Sequence, residues 1–223
     1  MQLNVEVLNN AINCWSELAN MITHAQNNIE IFPVSTAQGT DTLQKLPIAS
    51  IAELNSIILH TGGISIDNGW LRILGSGSHT LPRSIYTWNI NKTFTEDSSP
   101  KLLYIADDVL GGFFTLNLGG LGNDVGIVYY LAPDTLEYES LDMTYLEFIN
   151  FCCNGNIEQF YQDFRWSGWE NDVLLCSCDQ AFSFYPFLWT KEAGYMNQVS
   201  RRPVSIEEIF TLQQDFRKQL RIP

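Results

Sequence analysis

Residues 102–141 read LLYIADDVLGGFFTLNLGGLGNDVGIVYYLAPDTLEYESL, and this stretch decides the fold. Gly, Asp and Asn stand at each break between four short apolar runs. Residues 102–106 are apolar on both faces, as in a covered central strand. Phe114, Leu116 and Leu118 alternate with Thr115 and Asn117, the period of a half-buried strand. Residues 127–131 are again continuously apolar. The turn Ala132-Pro133-Asp134-Thr135 then predicts a return strand over 136–141, with Glu137 and Glu139 facing water. This is a sheet-forming scaffold with a glycine-rich rim and carries no catalytic signature of its own.

Helical patterns flank it on both sides. Leu8, Ile12, Trp15, Leu18 and Ile22 recur at helical spacing, while Cys14 and His24 fall off that stripe. Residues 29–34 (IEIFPV) form a short strand that Pro33 confines to an edge or a bend. Residues 36–46 predict a weak helix containing Gly39. Ser50 and Glu53 fit a capping box for a helix ending at Gly62-Gly63, and Asp67-Asn68-Gly69 then joins two strands as a hairpin. Residues 89–101 predict an exposed polar excursion. Thr144 and Glu147 form a second capping box, with Gly155 placed for a left-handed cap, and residues 157–164 predict a short helix. Ser205 and Glu208 fit a third box, opening a last helix with Ile206, Ile209, Phe210, Gln213 and Phe216 inward. Pro186 interrupts the strand-like residues 181–190. The expectation is an α+β fold: a mixed, mostly antiparallel sheet flanked by helices, in a single domain over 1–223.

Composition bounds the function. A formal net charge of -13, from 25 acidic and 12 basic residues, excludes a nucleic-acid binder, which needs a concentrated basic face. The same balance suits a basic protein partner, with acidic groups raising the on-rate. No apolar run approaches the ~18 residues of a membrane span, and the first residues lack a signal-peptide pattern. Five cysteines in clusters do not make a secreted disulfide framework. A cytoplasmic location is expected, and nothing indicates the oligomeric state.

Three candidate sites emerge. The 75–83 loop (GSGSHTLPR) is the most ligand-like segment: its glycines let backbone N–H groups approach an anion, and Arg72, Ser76, Ser78, His79 and Arg83 supply donors. It is neither a Walker loop nor a dinucleotide fingerprint, and a plain polar connection between layers is the competing reading. Asp107, Asp108 and Asp124 could pair as carboxylates, although adjacent acids in a turn usually divide between capping and solvation. Taken as exposed, with Asp134, Glu137 and Glu139, they instead form a docking surface beside Trp166, Trp169 and Trp189. Core packing is the simpler role for each tryptophan. Cys152-Cys153 and Cys176-Ser177-Cys178 lack zinc-type spacers, and adjacent cysteines on a helix point about 100° apart at ~3.6 residues per turn. No catalytic set, metal site or cofactor is assigned; Ser65 and the three histidines form no nucleophile arrangement.

The segments GGISIDNGWLRILGSG (62–77), LPRS (81–84), ADDVLGGFF (106–114), VYYLAPDTLEYESL (128–141), FSFYPFLWT (182–190) and SRRPVS (200–205) resemble the bacterial domain of unknown function 2625 family over nearly the whole chain. That family brings no assigned reaction. The middle, about 50–151, is also similar to the SUKH superfamily, in its Ala106-Asp107-Asp108…Gly111-Gly112 turn, its Val128-Tyr129 strand and its Leu146-Glu147-Phe148 helix. Thr144-Tyr145 replaces the usual Ser-Phe start, and the aromatic-rich extension 152–223 has no counterpart there. The SUKH resemblance implies an α+β immunity-type domain that neutralises a toxin by binding it. The alternative is a small anionic ligand-binding domain or enzyme built on the 75–83 loop.

Overall fold

Seven strands follow one another across a single sheet in the order in which the chain makes them: β1 (Ile29–Phe32), β2 (Gly63–Ile66), β3 (Leu71–Leu74), β4 (Leu102–Asp108), β5 (Phe113–Asn117), β6 (Ile127–Leu131) and β7 (Tyr138–Thr144). The computed structural model describes residues 5–48 and 51–222. All six ladders are antiparallel, so the expected α+β fold with a mostly antiparallel sheet holds, its strands ordered as a meander. A separate hairpin, β8 (Gln180–Tyr185) and β9 (Ser200–Ser205), follows it. The β8 ladder is regular up to Tyr185 and stops where Pro186 removes the next N–H.

Eight α-helices surround the sheet among the described residues. The first, α1 (Val5–Thr23), buries Ala11, Leu18 and Ile22, while Ile12, expected inward, is 48 % exposed. Next come α2 (Thr36–Lys45) and α3 (Ala52–His60), with α1 packed along α3. Ile51 is the N-cap of α3, without a side-chain bond; Ser50, expected to cap it, lies outside the described residues. A short α4 (Ile85–Asn89) escaped the sequence reading, since its capping box pairs Ser84 with Thr87 instead of Glu or Gln. Asn89, expected in an exposed excursion, is buried and bonds both the N–H and the carbonyl of Tyr104 on β4.

After β7 comes α5 (Tyr145–Asn154), opened by the predicted Thr144–Glu147 box with both arms formed. Gly155 ends it, but at φ -74, outside the left-handed region. Glycine is needed there for space: a Cβ would come within 2.4 Å of the Phe151 ring and 2.6 Å of its carbonyl oxygen. Then follow α6 (Ile157–Phe160), α7 (Trp169–Leu175) and α8 (Ile206–Leu220). Ser205 caps α8 by accepting from Glu207 N, one residue short of the expected Glu208 partner. One hydrophobic cluster runs from Leu18 on α1 to Phe210 on α8, so the aromatic-rich C-terminal segment packs on the same core as the sheet.

Candidate functional site

Register brings the first charged residues together. Arg72 on β3 stands opposite Asp107 on β4. Its Nε donates to Asp107 Oδ1 at 2.7 Å, Nη2 to the Asp108 carbonyl at 3.2 Å and Nη1 to the Gln180 carbonyl at 2.9 Å. Arg83, from the loop before α4, meets the same carboxylate: Nη1 donates to Asp107 Oδ2 at 2.5 Å and Nη2 to Oδ1 at 3.1 Å. Its remaining donors reach Asp179 Oδ1 and the Cys178 carbonyl. Arg72, Arg83 and Asp107 are all buried. Two guanidiniums against Asp107 and the partly exposed Asp179 cancel in charge, and Asp107 holds both arginines at once. Such a cluster is worth little net energy while whole, but removing one member strands the others in a dry interior.

Asp108 turns to the opposite task. Its carboxylate accepts from Leu110 N, Gly112 N, Tyr130 Oη at 2.7 Å and Tyr161 Oη at 3.0 Å. Burial pushes this carboxyl above the usual range against those donors, and raises both tyrosines as well. Asp107 and Asp108, expected on the surface, are therefore interior groups that tie β3, β5, β6 and the C-terminal segment to β4. They are 0 % exposed. Trp166, also expected as a surface anchor, is buried among Trp70, Phe182 and Phe184, with Nε1 donating to Asp172. Trp169 is half-buried edge-on to Trp70, with the Arg165 guanidinium over its own ring at 3.9 Å.

The ligand-like loop spends its groups internally. Ser76 is buried and donates to the Ile58 carbonyl; Ser78 Oγ accepts from Leu81 N; Gln38 donates to the carbonyls of Ser76 and Gly77. His79 is exposed and stands apart from the two buried arginines. The Nε and Nη groups of Arg72 and Arg83 donate to Asp107, Asp179 and backbone carbonyls. Asp124 does lie on the surface, accepting from Tyr129 Oη and Asn117.

Two further features are placed by the fold. The sheet ends at β7, where Glu137, Glu139, Asp142 and Glu147 are exposed near the Asp124 loop. Residues 102–164 contain no Lys, Arg or His, and the guanidinium set against this strand comes from α8, where Arg217 lies 4.5 Å over the Tyr138 ring. Second, a cavity of about 330 Å³ opens between β2 and the segment after α7, lined by Glu30, Ser65, Asn68, Thr80 and by Cys176 and Cys178. The sequence reading treated these cysteines as small buried hydrophobes; both are only partly buried.

A seven-stranded antiparallel meander, helices around it and a neutralised charge cluster at its centre define an α+β protein whose polar interior holds the chain together. No helix among the described residues is long and apolar enough to cross a membrane. Residues 5–209 match the family described as protein of unknown function DUF2625, and the chain belongs to that family. It is 37% identical over 208 residues to the uncharacterized protein YbfG of Escherichia coli (strain K12), covering 93% of this chain and 94% of that one. An uncharacterized protein of Haemophilus influenzae (strain ATCC 51907 / DSM 11121 / KW20 / Rd) is 38% identical over 194 residues, covering 86% of this chain and 85% of that one.

Proposed function

We propose that this protein works by binding a basic protein partner, without turnover, in the manner of the immunity-type domains that its middle resembles. The observation that carries this reading is the division of charge. The residues best suited to catalysis or anion binding, Arg72, Arg83, Asp107 and Asp108, are buried and bonded internally, the arginines to Asp107 and the Asp108 carboxylate to Tyr130 and Tyr161. The acids Asp124, Glu137, Glu139, Asp142 and Glu147 are exposed on and around the last strand of the sheet. Exposed charge of one sign raises the encounter rate with a partner of the other and suppresses wrong partners.

The test is affinity capture from the source cells with the full chain, at low and at physiological salt. A basic protein should be recovered, and its association rate should fall steeply with ionic strength. Reversing Glu137, Glu139 and Asp142 to Lys together should lower that rate by roughly 10-fold or more, at an unchanged melting temperature. Capture of nothing basic at either salt, or capture indifferent to the reversals, overturns the proposal. The ligand reading on the 75–83 loop predicts instead a rise in melting temperature with nucleotides or sugar phosphates that Arg83→Gln removes.

A further inference from the structure

The backbone that follows Cys176-Ser177 is held by the buried arginines. Arg83 donates to the Cys178 carbonyl at 2.8 Å and to the Asp179 carboxylate at 3.0 Å, and Arg72 donates to the Gln180 carbonyl at 2.9 Å. Ser177 N donates to Gln180 Oε1 and Cys176 N to the Val173 carbonyl. Each of the five residues Cys176–Gln180 beyond the end of α7 is thus bonded in place. Both cysteines line the 330 Å³ cavity, whose rim residues Asn68, Thr80 and Ser177 are exposed, so that solutes can reach it. Glu30 is the only acid in its lining. From these placements we propose that the cavity is a two-thiolate site for a soft monovalent metal ion of the copper(I) class.

The ligand count selects the ion. Among the described residues no three His, Cys, Asp or Glu side chains gather to hold a metal, which leaves no tetrahedral site of the zinc type. Thiolate sulfur prefers soft ions, and copper(I) and silver(I) are content with two sulfurs. Binding converts two thiols and one M⁺ into a bis-thiolate complex of charge -1 and two protons, which pass to the solvent.

The experiment titrates the reduced full-length protein with silver(I), under anaerobic conditions and against a competing chelator. Expected are one silver per chain, release of two protons, and protection of Cys176 and Cys178 from alkylation while Cys14 stays reactive. Cys176→Ser and Cys178→Ser should each weaken binding by more than the ~10–100-fold typical of an outer-shell change, and Cys14→Ser should leave it unaltered. Protection from alkylation is read on the unmutated chain, so a variant that fails to fold does not spare the proposal. Silver that yields wholly to the chelator, protection confined to other cysteines, or zinc bound as tightly as silver would each overturn it.

Discussion

Asp107 is one carboxylate asked to satisfy two arginines, and its replacement is the sharpest test of the interior. Asp107→Ala should cost about 3–5 kcal/mol in urea unfolding, because both guanidiniums stay behind uncompensated. Asp41→Ala, which breaks the exposed pair with Lys45, should cost about 0–1 kcal/mol. The sequence reading placed Asp107 and Asp108 at the surface for a physical reason: two adjacent acids beside glycines have the composition of a turn. Their partners stand 35 and 24 residues away for Asp107, and 22 and 53 for Asp108, distances over which no local pattern speaks. His60 offers a pH test. It stacks on Trp15 at 4.7 Å, and burial holds its ring below the ordinary histidine range. Its folded value is depressed, so its contribution is present above the unfolded value of about 6.5 and is lost as pH falls through the folded one. Between pH 7 and pH 5 the urea midpoint of the wild-type protein should fall further than that of His60→Phe.

At the scale of elements, local chemistry was the more legible part. The run of four strands, the Asp-Asn-Gly connection and the Thr144 box are all decided by residues within a few positions of one another, and the structure has them. The start of β7 was misplaced because Leu136 reads as a strand residue, whereas it sits at φ +59, buried in the turn, and the strand begins at Tyr138. Gly111 shows what a rim glycine does here. It lies at φ +84 between β4 and β5, and a Cβ would fall 2.4 Å from the Ile209 side chain of α8. Gln213 Nε2 on the same helix donates to its carbonyl at 2.8 Å. Gly111→Ala should therefore lower stability by more than the ~1 kcal/mol of a simple backbone effect, and the added loss should shrink in the double variant with Ile209→Ala, as a double-mutant cycle would read.

Across the whole molecule, sequential strands build a sheet from near neighbours, while the C-terminal quarter is fastened to it through Arg72 and Arg83. That second fact was invisible in the sequence, since the acceptors at Cys178 and Gln180 are backbone carbonyls, which no side-chain pattern announces. The hairpin β8–β9 adds Phe182 N to the Val109 carbonyl, and α8 covers the Trp88–Tyr104–Phe113 ring cluster with Phe210. A chain stopped at residue 175 should appear in the insoluble fraction on expression, and limited proteolysis of the full chain should release no stable fragment ending there. Arg72→Met, Arg83→Met and Asp107→Leu together should restore part of the solubility of the shortened chain, since apolar replacements relieve the stranded charge.

That fastening also bears on the order of assembly. The meander can pair strand by strand as it is made, yet Arg72 and Arg83 reach their acceptors at Cys178, Asp179 and Gln180 only once that distant segment has docked.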